Sequence, residues 1–159
     1  MDRQENIEFM REAIRLSVEN VEQGKGGPFG AVIVKDGKII ARGVNEVTSS
    51  NDPTAHAEVV AIRKACTLLN TFQLTGCELY ASCEPCPMCL AAIYWARPDK
   101  IFYANTKEDA AGIAFDDKFI YDEIARPAAE RKIFTQQLLR EEALEAFRKW
   151  TGSTTRIQY

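Results

Sequence analysis

Histidine is almost absent from this chain of 159 residues, in which His56 is the only one. Any site that needs an imidazole therefore has to use this residue. The chain also lacks an apolar run long enough to span a bilayer. Its first residues, Met1 to Glu5, lack the basic-then-apolar pattern of a signal peptide. We therefore expect a cytoplasmic protein with no membrane partner.

A disulfide framework is not expected either. The number of cysteines is odd, at five, and three of them lie close together as Cys83, Cys86 and Cys89. This clustering is typical of a metal site in a reducing compartment and not of a small secreted protein.

Clusters of basic residues are also missing. The chain has 20 lysines and arginines against 23 acidic residues, which gives a formal net charge of −3. Proteins that bind polynucleotides usually carry a basic surface, because contacts with phosphates dominate their affinity. The charge pattern therefore favours a small-molecule substrate over a nucleic acid.

Two short motifs are present instead. The run Pro53–Glu58 (PTAHAE) opens a predicted helix, and the run Ser82–Cys89 (SCEPCPMC) lies at a predicted junction of strand and helix. The imidazole of His56 and the thiolates of Cys86 and Cys89 form a set of three zinc ligands, which leaves the fourth position open for water as in catalytic zinc sites. The spacing of i and i+3 would place both cysteines on one face of a helix.

Glu58 is the candidate catalytic residue beside these ligands. Zinc lowers the pKa of water to about 7, and the hydroxide that results needs a neighbour that moves protons. Helix positions i and i+2 normally point apart. His56 and Glu58 can therefore share a pocket only if both lie in the first turn of their helix.

Three other interpretations of the cysteine motif stay open. A redox dithiol would use Cys-x-x-Cys but has no need for a distant His-x-Glu. An iron–sulfur run would need a fourth cysteine followed by proline, which the sequence lacks. A structural zinc would need a fourth protein ligand, and Cys83 could provide it; otherwise Cys83 is a buried thiol behind the metal.

His-x-Glu followed by Pro-Cys-x-x-Cys is the signature of zinc-dependent nucleobase deaminases. The runs Gly26–Val32 (GGPFGAV), Asn51–Glu58 (NDPTAHAE) and Gly112–Asp117 (GIAFDD) extend it. With them, the chain resembles the small guanine deaminases of the cytidine-deaminase-like superfamily from about Gly26 to its C-terminus. The resemblance implies an α/β fold, a three-layer α/β/α sandwich around a mixed sheet of about five strands. It also implies one Zn²⁺ per chain and the hydrolysis of guanine to xanthine and ammonia.

Several residues have two interpretations. By position alone, Asn45 is a turn residue, Trp95 a core residue and Asp117 a solvated carboxylate or helix cap, whereas Phe29 lies in a glycine-rich loop that could line a pocket. The resemblance implies instead that a purine base is contacted by Phe29, Asn45, Ala57 (through its backbone N–H), Trp95, Asp117 and Tyr159.

The remaining pattern indicates one domain over residues 1–159. Helix, hairpin, helix, strand, helix and strand follow one another, which fits a sheet covered on both faces. Spacing predicts a core-facing helix over 6–23, capped by Asn6, whose apolar stripe is Ile7, Met10, Ile14, Val18 and Val21. The run 133–139 is interpreted as a strand.

The tail 152–159 ends in Ile157 and Tyr159 on a polar segment. A solvated, frayed tail is the simple interpretation. Our hypothesis is an active-site lid, and the resemblance suggests a homodimer that exchanges this segment. Three competing functions remain: a guanosine deaminase, a tRNA adenosine deaminase, and a non-catalytic zinc scaffold in which Glu58 is a plain helix carboxylate.

Overall fold

The computed structural model describes residues 3–159, with the side chains of Arg3 and Glu5 left undescribed. The strands are β1 (Gly30–Lys35), β2 (Lys38–Val44), β3 (Cys77–Cys83) and β4 (Lys100–Asn105). The helices are α1 (Arg3–Glu22), α2 (Val47–Ser50), α3 (Ala57–Leu69), α4 (Pro87–Ala96), α5 (Lys107–Ala111), α6 (Lys118–Ala125) and α7 (Arg140–Gly152), with a 3₁₀ turn at Ala128–Glu130. The chain divides into two compact units, Met1–Asp117 and Lys118–Tyr159.

The first unit is built on a mixed sheet with the strand order β2-β1-β3-β4. Strand β1 runs antiparallel to both β2 and β3, whereas β3 and β4 are parallel. Asp36 and Gly37 form the turn between β1 and β2, as the sequence predicts. Helix α4 makes the crossover that a parallel pair requires.

Helices cover both faces of this sheet, so the expected α/β/α sandwich is confirmed. Alternate residues of a strand point to opposite faces, and the two cores follow this rule. On the side of α1, the buried residues are Ala13, Val32, Val34 and Tyr80. On the side of α3 and α4, they include Ala31, Ile33, Ala61, Leu79 and Ile93.

The sheet has four strands, so the expectation of about five is wrong. The run 133–139 is irregular, and the second unit contains no strand among its residues. Ile133 and Phe134 are 80% and 85% exposed. A strand exists only where a neighbour completes its hydrogen bonds, and the apolar composition of this run does not report whether such a neighbour is present.

The apolar stripe assigned to α1 is rotated in the structure. Met10 packs against the core as predicted. Ile7, Ile14, Val18 and Val21 are exposed, and the buried positions are instead Ala13, Ser17 and Asn20. A Cβ added at Gly30 would lie 2.4 Å from the carbonyl oxygen of Ala13. Helix and strand therefore approach so closely that only small side chains fit between them. The helix also begins at Arg3, so Asn6 is not its cap.

The second unit, Lys118–Tyr159, has α6, the 3₁₀ turn, α7 and an irregular end from Ser153. None of its residues is buried. Its exposed large apolar side chains include Phe119, Ile133, Phe134, Leu138, Phe147, Ile157 and Tyr159. No described helix has the length and apolar character that a membrane crossing requires.

Candidate metal centre and active site

Two helix starts meet at the candidate metal centre. His56 is the N-cap residue of α3 and Cys86 is the N-cap residue of α4, both with extended backbone dihedrals. Neither side chain caps the backbone of its own helix. Both side chains are therefore available to a ligand above the helix ends. Cys89 lies one turn into α4.

The three donor groups converge. The Nδ1 atom of His56 lies 3.5 Å from the Sγ atom of Cys86 and 3.5 Å from that of Cys89. All three ligand atoms lie within 4.8 Å of one another. Helix α4 begins at Pro87, so the i and i+3 spacing places the Cys86 thiol at the N-cap and the Cys89 thiol in the first turn, and the two thiols converge as the sequence predicts.

The donor set fits a zinc ion. Hydrogen bonds from Cys89 and His56 lower the pKa of Cys86 to about 4, whereas the neighbouring Cys86 sulfur and burial raise the pKa of Cys89. The same Cys86 sulfur raises the pKa of His56. Without a metal, only one of the two thiols is easily ionised. A dication relieves the repulsion between two thiolates, and zinc binds thiolate and neutral imidazole.

Glu58 is the second residue of α3 and is buried, with 7% of its surface exposed. Its Oε2 atom accepts a hydrogen bond from the Cys89 thiol at 3.4 Å. Burial raises the pKa of the Glu58 carboxyl above its ordinary value. His56 and Glu58 thus both lie at the start of α3. This is the arrangement that the sequence analysis required for the two side chains to share a pocket.

Cys83 stands apart from this group. It is buried at the end of β3, and its thiol donates to the carbonyl oxygen of Thr106 at 3.5 Å. Burial raises its pKa to about 11. The residues that come together as possible metal ligands are His56, Cys86 and Cys89, and the thiol of Cys83 is directed to a backbone carbonyl.

Phe29 and Asn45 meet at the glycine-rich loop. Asn45 is buried, and its Oδ1 atom accepts hydrogen bonds from the N–H groups of Gly27 and Val47, both at 3.3 Å. The oxygen of this amide is thus used by the backbone, which leaves Nδ2 as its ligand-binding group. The Phe29 ring packs edge-to-face on Phe115, with centroids 5.0 Å apart.

The other candidate substrate contacts belong to several elements of the chain. Asp117 is half-buried, and burial followed by the charge of Cys86 raises the pKa of its carboxyl. The Ala57 N–H belongs to the first turn of α3, where amides have no acceptor within the helix. Trp95 is 63% exposed, so its interpretation as a core residue is wrong. Tyr159 lies in the second unit and is 69% exposed.

Three residues of this region were not singled out from the sequence. Phe115 packs on Phe29, the Ser82 hydroxyl accepts a hydrogen bond from Gly30 N–H at 3.0 Å, and Asn20 reaches the loop from α1. A buried Asn near a helix end carries no distinctive spacing. Only the closeness of α1 to the sheet shows which face Asn20 occupies.

Residues 3–105 match the family model of the cytidine and deoxycytidylate deaminase zinc-binding region. The chain belongs to this family. Within it, guanine deaminase from Bacillus subtilis (strain 168) is 58% identical over 151 residues, which are 95% of this chain and 97% of the relative.

A solved structure shows the same likeness. The X-ray structure of guanine deaminase from Bacillus subtilis superposes with a TM-score of 0.95 at 56% identity, over 100% of this chain and 99% of that chain. The tRNA-specific adenosine deaminase from Aquifex aeolicus (strain VF5) is more distant, at 36% identity over 137 residues, which are 86% of this chain and 87% of the relative. By its name, this relative acts on an adenosine of tRNA.

Proposed function

We propose that this protein is a zinc-dependent enzyme that hydrolyses guanine to xanthine and ammonia. The observation that carries the proposal is the buried Glu58 carboxylate beside the three donor groups, with its Oε2 atom 3.4 Å from the Sγ atom of Cys89. The likeness to guanine deaminase from Bacillus subtilis, over nearly the full length of both chains, supports guanine as the substrate.

His56, Cys86 and Cys89 hold the metal in this proposal. Zinc in such a site supplies hydroxide at neutral pH, because it lowers the pKa of water to about 7. The side chain of Glu58 is not needed as a ligand, and it carries the protons. A raised carboxyl pKa suits this task, since the group must take up a proton and release it near neutral pH.

The proposed reaction needs two proton transfers, and Glu58 makes both of them. The oxygen of water bonds to guanine C2, and the bond from C2 to the exocyclic nitrogen breaks. Glu58 takes one proton from the water and delivers it to the ring nitrogen, then takes the second proton from the hydroxyl group now on C2 and delivers it to the amine, which leaves as ammonia while C2 becomes a carbonyl carbon. One carboxylate beside the reacting carbon is sufficient for both deliveries.

The base is held by groups around this centre. Asp117 accepts hydrogen bonds from the N–H edge of guanine, and Asn45 donates through Nδ2 to an acceptor of the base. Phe29 packs on the ring plane, and the Ala57 N–H contacts the substrate from the start of α3. Trp95 and Tyr159 complete the proposed set, and exposed aromatic side chains are suited to cover a flat ligand.

Deamination of a tRNA adenosine is the second candidate. The 36% identity to a tRNA-specific adenosine deaminase favours it. The net charge of −3 and the scattered basic residues count against a polynucleotide substrate. Guanosine is a third possible substrate within the same chemistry, and it requires only additional room for a ribose.

A substrate panel tests the proposal. Ammonia release is measured with the zinc-loaded protein on guanine, guanosine, adenine, cytosine, cytidine and a tRNA that carries the wobble adenosine. We expect guanine to be the best substrate. A preference for guanosine or tRNA would reassign the substrate, and no release from any of them would favour the zinc scaffold.

We also infer a homodimer in which residues 152–159 are exchanged between subunits, so that one deaminase domain is completed by its partner. Two observations support this. The second unit has no buried residue of its own, and α1 exposes Ile7, Ile14, Val18 and Val21. Apolar surface of this kind marks contacts with another protein. We propose a cytoplasmic location, because all five cysteines are free thiols.

A further inference from the structure

The side chain of Asn20 joins α1 to the two segments that carry Phe29 and Asn45. Asn20 lies near the end of α1 and is only 2% exposed. Its Nδ2 atom donates one hydrogen bond to the carbonyl oxygen of Gly27 and another to that of Asn45, both at 2.9 Å. One amide group thus uses both of its donors to connect the glycine-rich loop to the end of β2.

These two segments also hold each other. The Phe29 N–H donates to the Gly27 carbonyl at 2.8 Å, and the Asn45 N–H donates to the Phe29 carbonyl at 3.1 Å. The Asn45 side chain accepts from Gly27 N–H at 3.3 Å. Each of these hydrogen bonds is made by Gly27 or Asn45, and the side chain of Asn20 binds the carbonyl oxygens of both residues.

The fit between the segments is tight. A Cβ added at Gly26 would lie 2.1 Å from the Asn45 carbonyl oxygen. The loop therefore lies directly on Asn45, and a change in the position of one segment moves the other. The relative placement of the Phe29 ring and the Asn45 amide depends on this contact.

Only the donor half of the Asn20 amide has partners among the described residues. Its Oδ1 atom is buried and has no hydrogen-bond partner among the described residues. A buried acceptor without a partner lowers stability, and leucine has nearly the same shape without that acceptor. The part of the side chain that is used is the donor, and the donor is directed at the loop.

We propose that Asn20 is a positioning residue for guanine binding, which sets the distance between the Phe29 ring and the Asn45 amide. This inference rests on the proposed function, in which both residues contact the base. Asn20 acts through their backbone and not on the substrate itself.

The test compares Asn20→Leu and Asn20→Ala with Ser17→Ala. Ser17 is a matched control, since it is also buried on α1, at 8% exposure, and its hydroxyl donates to the Ile14 carbonyl of its own helix. The dissociation constant of guanine is measured by calorimetric titration with each change placed in zinc-loaded Glu58→Gln protein, in which turnover is slow. Zinc content and thermal unfolding are recorded for each variant.

We expect both Asn20 variants to bind guanine about tenfold more weakly, which corresponds to about 1.4 kcal/mol, while Ser17→Ala binds as the parent does. Asn20→Leu should unfold at no lower temperature than Asn20→Ala, because it fills the space and removes the unpaired oxygen. If Asn20→Leu binds guanine as weakly as Asn20→Ala does but is more stable, the loss of affinity results from lost positioning and not from unfolding. Hydrogen exchange at the Gly27 and Phe29 amides should be faster in both variants.

The contrary outcomes are distinct. Guanine affinity in Asn20→Leu equal to that of Ser17→Ala, or a failure of Asn20→Leu to fold, would overturn the role of Asn20. Unchanged amide exchange in the loop would overturn it as well, whatever the substrate. If the parent protein neither binds nor hydrolyses guanine, the proposed function fails, and the exchange measurement still decides whether Asn20 holds the loop.

Discussion

Individual residues at two helix starts determine the chemistry of the site. An N-cap side chain points back over the first turn, and the helix N-terminus stabilises negative charge. Cys86 occupies the N-cap of α4 and Glu58 the first turn of α3, so both lie in this environment. The placement of His56 and Glu58 at a helix start could be predicted from the sequence, because residues at i and i+2 face one pocket only in the first turn of a helix. The contacts of Asn45 with Asn20 and Gly27 could not be predicted, since these residues are distant in sequence.

Replacement of Glu58 tests the proton transfers. Glu58→Gln keeps the shape of the side chain and removes the carboxylate, so we expect zinc binding to persist and guanine turnover to fall by about a hundred- to ten-thousand-fold. Glu78→Gln is the matched control. Glu78 is equally buried, at 7% exposure, but it is bound by Tyr80 and Lys100 at the far side of the sheet. Near-normal turnover in Glu58→Gln would contradict the mechanism.

Asp117→Asn tests recognition of the base. The carboxylate only accepts hydrogen bonds, whereas the amide presents donors to the N–H edge of guanine and leaves polar groups unpaired. We expect a loss of about 1–3 kcal/mol in kcat/KM, with unchanged zinc content. The neighbouring Asp116→Asn is the control, because Asp116 is exposed. Equal kcat/KM values in both variants would show that Asp117 is a solvated carboxylate.

Within elements, the type of a helix was easier to predict than the face that it buries. Apolar spacing correctly gave a helix in the region of α1 but assigned Ile14 and Val18 to the core, where Ala13 and Ser17 lie instead. The deciding feature is the approach of α1 to Gly30. The spacing of apolar residues in the sequence assigns large side chains to the core, whereas a close contact between a helix and a strand requires small side chains.

The contact of α1 with β2 carries a pH-dependent interaction. Glu12 binds Arg15 at 2.8 Å and Arg42 of β2 at 2.6 Å. These bonds lower the pKa of the Glu12 carboxyl from 4.5 to about 2. A lowered pKa in the folded state contributes stability that is complete above about pH 4.5 and is lost as the pH falls towards 2.

Glu12→Gln should therefore reduce the free energy of unfolding at pH 7 by about 1 kcal/mol, and by less at pH 3. Urea unfolding at the two pH values measures the difference. Glu8→Gln is the control, since Glu8 and Arg11 form an exposed pair on the same helix, and exposed pairs contribute little. A loss in Glu12→Gln that is the same at both pH values would contradict the assignment of the shift to Glu12.

At the scale of the whole molecule, the sequence predicted the layers and the metal centre but not the end of the chain. The core of the first unit follows from alternating strands and short connections. The run 133–139 has the composition of a strand, yet Ile133 and Phe134 are exposed. An apolar run has the same composition whether or not a neighbour in space covers it, and this limits what can be predicted for Lys118–Tyr159.

Deletion of residues 153–159 tests the proposed exchange of the tail. The metal ligands lie far upstream in the sequence, so we expect zinc to be retained. Guanine turnover should fall sharply, because the pocket loses the Tyr159 ring and its cover against water. Full activity of the truncated protein would reject the lid, and a monomer in solution for the intact protein would reject the exchange.

Mixing two inactive chains distinguishes a tail that acts in its own subunit from one that acts in the partner. Glu58→Gln protein has an intact tail, and the truncated protein has an intact Glu58. In an exchanged dimer of one chain of each kind, the site that contains Glu58 receives the tail of its partner, so that co-expression should restore guanine turnover. If each tail covers its own site, every site lacks either Glu58 or Tyr159, and no activity returns. Recovery therefore requires exchange, and a mixed dimer without recovery places the tail on its own subunit.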